Sequence, residues 1–125
     1  MDLSVRNESF GAGDQSWLGS AHGTSSARTV TINRSALSKA THFPDNRLKS
    51  GFPLALVAGK CVPYNAAGSG GTEVLAGFLF TDQSVKDTGG DIVAPLLDHG
   101  RIRLSKLPVA GVLATATTTG QFVFV

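Results

Sequence analysis

Glu73-Val74-Leu75-Ala76-Gly77-Phe78-Leu79-Phe80 reads as the strongest strand in this 125-residue sequence. It is short, rich in apolar residues and bounded by turn-forming glycines on one side and a polar stretch on the other. Upstream, Asn65-Ala66-Ala67-Gly68-Ser69-Gly70-Gly71 is a loop by composition. Before it, Phe52-Pro53-Leu54-Ala55-Leu56-Val57 and Lys60-Cys61-Val62-Pro63-Tyr64 read as two strands joined at Ala58-Gly59, with Pro53 near a strand start where proline is tolerated. Further back, Thr29-Val30-Thr31-Ile32-Asn33 alternates polar and β-branched apolar residues, the pattern of a half-buried strand. Between these, Ser35–Ala40 predicts one or two helical turns capped by Asn33 or Ser35, and Phe43-Pro44-Asp45-Asn46 predicts a turn.

Downstream, Thr81 to Gly90 is a polar connection. Ile92–Leu97 and Arg101–Leu104 flank Asp98-His99-Gly100, which reads as a hairpin turn, and Gln121–Val125 is a further strand. Fifteen glycines in 125 residues, against a usual share of about 7%, also disfavour long helices. The fold expected is mainly β: a small domain of the β-clip or β-tulip kind, with short strands and at most one or two short helical turns.

Residues 1–27 have a different texture. Gly and Ser are dense, no period of 2 or 3.6 is present, and Phe10, Trp17 and Leu18 are isolated apolar residues in a polar background. The division expected is an extended N-terminal arm, 1–27, and a β-rich domain, 28–125, that folds without it. The arm has no signal-peptide pattern, and no run of about 20 apolar residues suggests a membrane span. A single cysteine, Cys61, gives no disulfide framework, so the expected setting is the cytosol.

Formal charge is only +2 but lies in blocks. Residues 1–27 carry Arg6 against Asp2, Glu8 and Asp14. Residues 28–60 carry Arg28, Arg34, Lys39, Arg47, Lys49 and Lys60 against Asp45 alone. Residues 61–98 reverse the sign, with Lys86 against Glu73, Asp82, Asp87, Asp91 and Asp98. Alternating blocks suit a surface complementary to itself or to a partner better than a nucleic-acid stripe. No direct nucleic-acid partner is expected, because aromatics are scarce among the bases.

Motifs for chemistry are missing. Gly59-Lys60 lacks the earlier glycine and the following helix of a phosphate loop. Gly68-Ser69-Gly70-Gly71 lacks the spacing of a nucleophile elbow. His22, His42 and His99 are scattered over separate segments, with no metal-ligand spacing. Cys61 beside Lys60 reads as a packed strand residue. The expectation is a protein that is not an enzyme, with no catalytic residue, no metal and no cofactor.

Three passages in order carry a resemblance. The first is Arg28–Asn33, then Thr41-His42-Phe43-Pro44-Asp45 and Leu48-Lys49-Ser50-Gly51-Phe52-Pro53-Leu54. The second is Gly59–Tyr64, a Gly-rich loop and Ala76–Phe80; the third is Asp98-His99-Gly100-Arg101-Ile102-Arg103-Leu104-Ser105-Lys106-Leu107-Pro108. This order, over roughly residues 28–108, resembles the head decoration proteins of tailed bacteriophages, the lambda-type capsid-stabilising family, as carried by phages of actinobacteria. The resemblance implies a structural virion protein, made in the host cytoplasm and seated as a homotrimer on the outer surface of the expanded capsid. There it would cement neighbouring major capsid protein subunits, with no membrane partner.

In that reading the strand Arg28, Thr29, Val30, Thr31, Ile32, Asn33 and Arg34 adds to the capsid protein, with Trp17 as an anchor. Two alternatives stand beside it: a receptor- or glycan-binding β module of a virion, and a nucleotide hydrolase on the same scaffold, resembling the dUTPases.

Overall fold

The computed structural model describes residues 14–20, 27–86, 90–109, 111–112 and 114–125. The protein is mainly β, with short strands: β1 Arg28–Ile32, β2 Arg47–Leu48, β3 Pro53–Val57, β4 Lys60–Pro63, β5 Gly77–Leu79, β6 Gln83–Ser84, β7 Ile92–Leu97, β8 His99–Ile102 and β9 Gln121–Phe124. Among the described residues the one α-helix is the single turn α1, Lys39–His42, preceded by a 3-10 turn at Arg34–Ala36. Asn33 caps that 3-10 turn, accepting from the Ser35 amide.

Five strands close into a barrel in the order β1-β4-β3-β5-β7, with β7 returning to β1. The β3–β4 hairpin turns at Ala58-Gly59, both with positive φ (53° and 84°), the backbone twist that matches the flanking strands. Two ribbons lie outside the barrel: antiparallel β2–β6 and parallel β8–β9.

Two cores result. The barrel encloses Val30, Ile32, Leu54, Cys61, Leu79 and Leu96, covered at one side by Leu37, Phe43, Leu48 and Val85. A second core forms between the barrel and β8–β9 from Trp17, Leu75, Phe78, Leu97, Ile102 and Val112. Neighbouring residues thus serve opposite cores: Phe78 and Leu79 in β5, Leu96 and Leu97 in β7. Burial on both faces is why these strands read as continuous apolar runs.

Three expectations are corrected. The apolar run 73–80 is a strand only over Gly77–Leu79; Thr72 and Glu73 lie in turn backbone and Leu75 makes an isolated bridge to Thr118. Leu75 is fully buried, so its apolar character reflects the second core and not a ladder position. Asp98-His99-Gly100 is not a hairpin turn, because β8 leaves the barrel and pairs with β9. The polar stretch 81–90 contributes β6, which pairs with Arg47–Leu48.

Candidate binding surface

The described part of the N-terminal arm belongs to the domain. Trp17 is fully buried, 5.8 Å from the Phe78 ring, and its Nε1 donates to Ser50 Oγ at 3.1 Å. The Ser50 hydroxyl in turn donates to the Phe80 carbonyl at 2.7 Å. Gly19 N donates to Arg101 O and Arg103 N donates to Trp17 O, both at 2.7 Å, and Leu18 bridges Ile102. Residues 17–19 therefore add to the free side of β8 in their own molecule. The expectation of Trp17 as an anchor on a partner is corrected: an indole inside the second core has no face to offer. The remaining arm residues, 1–13 and 21–26, lie outside the described residues.

The strand expected to add to a partner is likewise committed. β1 pairs with β7 over all five residues, Arg28↔Leu96 through Ile32↔Ile92, and with β4 at Ile32↔Cys61. Val30 and Ile32 point into the barrel, whereas Arg28 and Thr29 are exposed. Asn33 and Arg34 lie beyond the strand. Arg34 is tied down by its amide to Asp91 Oδ1 (3.0 Å), by Nε to the Lys86 carbonyl (2.7 Å), and by stacking 4.6 Å from the Phe43 ring centre. As a stave of a closed barrel, Arg28–Arg34 does not provide a whole strand for addition.

The charge blocks meet within the molecule. Arg28–Asp98 (4.0 Å), Arg47–Asp82 (3.4 Å) and Lys60–Asp91 each join the basic segment 28–60 to the acidic segment 61–98. The Lys60 ammonium and the Arg34 amide hold the Asp91 carboxyl below the usual aspartate range. Sequence blocks that suggested a complementary partner surface are complementary to each other.

Potential chemical groups are dispersed or packed. Cys61 is fully buried, and burial pushes its thiol pKa up, away from thiolate reactivity. His42 Nδ1 accepts from the Ser38 amide at 2.8 Å, and burial pushes its pKa down. His99 sits 3.5 Å from Asp98 at the start of β8. Among the described residues, no cluster of His, Cys, Asp or Glu has the arrangement of a metal site. Among the described residues, no helix is long and apolar enough to cross a membrane.

What the surface does present is the outer edge of β9. The register His99↔Gln121 to Ile102↔Phe124, with Gln121 N on Asp98 O and Val125 N on Ile102 O, turns the backbone of Gln121, Val123 and Val125 towards β8. By alternation, the N–H and C=O groups of Phe122 and Phe124 point the other way. Among the described residues no strand pairs with that side.

The Phe122 and Phe124 side chains pack on the second core, Phe122 edge-on to Phe78 at 5.2 Å. Val123 and Val125 face outward, 53% and 56% exposed. Edge strands in natural proteins are usually blunted by charge or proline, yet Leu107 to Val125 contains no charged residue and no proline after Pro108. That uncharged run was the signal available in the sequence; the strand itself was legible, its open side was not. Comparison with protein-family models, curated proteins and solved structures finds no match to the chain.

Proposed function

We propose that this chain is a structural virion protein that binds the outer surface of an expanded bacteriophage capsid and cements neighbouring major capsid protein subunits. The reading rests on the order of motifs between residues 28 and 108, and the observation that carries it is the uncharged edge of β9, unpaired among the described residues, with Val123 and Val125 exposed beside it. A partner strand laid along that edge would receive hydrogen bonds from Phe122 and Phe124 and bury both valines, so affinity comes from backbone and apolar contact. No catalytic residue is needed. Strand addition is retained from the sequence reading and moved from β1 to β9.

Three copies around a capsid three-fold axis belong to the same proposal. Each contact is then modest, and effective concentration raises the combined grip.

Co-sedimentation of the intact protein with expanded, DNA-free phage capsids stripped of their own decoration protein tests the reading. Binding that falls about tenfold or more in Val123→Lys, with an unfolding midpoint close to wild type, is the expected result, because a charged gatekeeper disfavours edge pairing. Absence of binding, or binding indifferent to Val123→Lys, would remove the support for it.

A further inference from the structure

The outer edge of β9 is complementary to itself. Its outward backbone groups belong to Phe122 and Phe124, and among the described residues no backbone hydrogen bond outside the ladders uses them. Two such edges laid antiparallel about a two-fold axis at Val123 bring Phe122 opposite Phe124 of the second copy. In an antiparallel ladder, hydrogen-bonded pairs exchange both N–H···O bonds and alternate with non-bonded pairs, whose side chains approach most closely. This axis puts a hydrogen-bonded Phe122–Phe124 pair on each side and the close, non-bonded pair at Val123 itself. An axis at Phe122 or at Phe124 would join one such pair only and set the other phenylalanine against residues outside β9.

The side chains agree with that register. On the outward face Val123, 53% exposed, meets its own copy, and Val125, 56% exposed, meets Gln121. On the other face Phe122 and Phe124, each partly buried in one chain, come beside their counterparts and extend the second core. A two-fold contact is isologous, so a charge near the axis would face its own sign. Leu107 to Val125 holds no charged residue. Arg101, across from Val123 on β8, stands three strand spacings from its counterpart, about 14 Å, beyond the Debye length of about 10 Å in 0.1 M salt.

We infer that two copies of this chain pair through β9, antiparallel about a two-fold axis at Val123, into one sheet ordered β8-β9-β9-β8. Strands this short bury less than the roughly 1,200 Å² of a stable interface. The pair is therefore weak and forms at high concentration, and dilute protein keeps the edge open. A second copy and a capsid strand exclude each other here, which makes self-pairing a brake on the proposed capsid binding. The pairing itself does not depend on that reading.

Sedimentation equilibrium of the intact protein tests it. The wild type should show a monomer–dimer equilibrium with a dissociation constant below about 1 mM. Val123→Lys and Val123→Glu should each weaken dimerisation about tenfold, since each sets like charges directly across the axis, with unfolding midpoints close to wild type. Mixed in equal amounts, the two variants should dimerise again, because lysine then faces glutamate. That recovery requires residue 123 to lie opposite itself. Raising the wild-type concentration should also slow amide exchange at Phe122 and Phe124. A wild type still monomeric at about 1 mM, a trimer, a dimer indifferent to both variants, or a mixture that stays monomeric would overturn the inference. A monomeric wild type that binds capsids removes this inference alone, whereas a dimer whose dilute monomer ignores capsids removes the capsid reading alone.

Discussion

Gly51 shows how tightly one residue can be specified. Its φ of +91° lies in the left-handed region, and a Cβ built there would sit 2.8 Å from the Trp17 ring and 2.9 Å from Pro108 Cδ. Ser50, beside it, holds the indole through its hydroxyl. Gly51→Ala therefore combines backbone strain with a clash against a fully buried ring, and should lower stability by about 1–3 kcal/mol in urea unfolding. A change within experimental error would show that the turn can relax away from Trp17. Trp17→Ala should cost about 3–5 kcal/mol, the range for removing a buried aromatic.

His42 gives a pH dependence at the same scale. Its Nδ1 accepts a hydrogen bond that the protonated ring cannot accept, and burial penalises the charge. The folded-state pKa is thus below the unfolded value of about 6.5. The contribution to stability is complete above that value and is lost as pH falls through it towards the folded pKa. Urea midpoints measured between about pH 7.5 and 5 should fall more steeply for the wild type than for His42→Gln. Parallel slopes would show that His42 titrates alike in both states.

At the scale of elements, legibility followed locality. β7 was read to the residue, and the β3–β4 hairpin and the Phe43–Asn46 turn were visible, because each depends on neighbours in sequence. The helical turns expected over Ser35–Ala40 fall instead at Arg34–Ala36 and Lys39–His42, with Asn33, one of the two caps expected, on the first. β5 was overextended because Val74, Leu75 and Ala76 are as apolar as a strand while serving a different contact. β2 and β6 were missed since a two-residue ladder leaves no period to detect. The parallel pairing of β8 with β9, and with it the open edge, is a long-range fact that no local pattern encodes. Hydrogen exchange should mark the strip that results: the amides of Gly19 and Arg103, which bond across to Arg101 and Trp17, should be protected. The Phe122 and Phe124 amides, on the open edge, should exchange faster than those of Val123 and Val125. Equal protection along β9 would mean the edge is covered.

The whole molecule corrects the division into arm and domain. Glycine-rich composition made residues 1–27 look dispensable, but Gln15, Trp17, Leu18 and Gly19 all bond or pack into the second core. A chain beginning at Arg28 leaves a cavity where the indole sits and an unpaired side on β8. It should unfold at a clearly lower denaturant concentration than the full chain, or fail to fold, in contrast to what composition suggested. An unchanged midpoint would return Trp17 to the status of an appendage.

Trp17 is also the only tryptophan in the chain, so its fluorescence watches one event. Its environment is completed by Phe78 from the barrel and Ile102 from β8, with residues 17–19 bridging far along the sequence to do so. Contacts of that separation form slowly, whereas the β3–β4 hairpin closes over two residues. In a stopped-flow refolding experiment the far-ultraviolet signal of strand formation should rise first, and the tryptophan signal should follow in a later phase. A single shared rate would mean that both cores condense in one step, and that the barrel never exists with the ribbon still undocked.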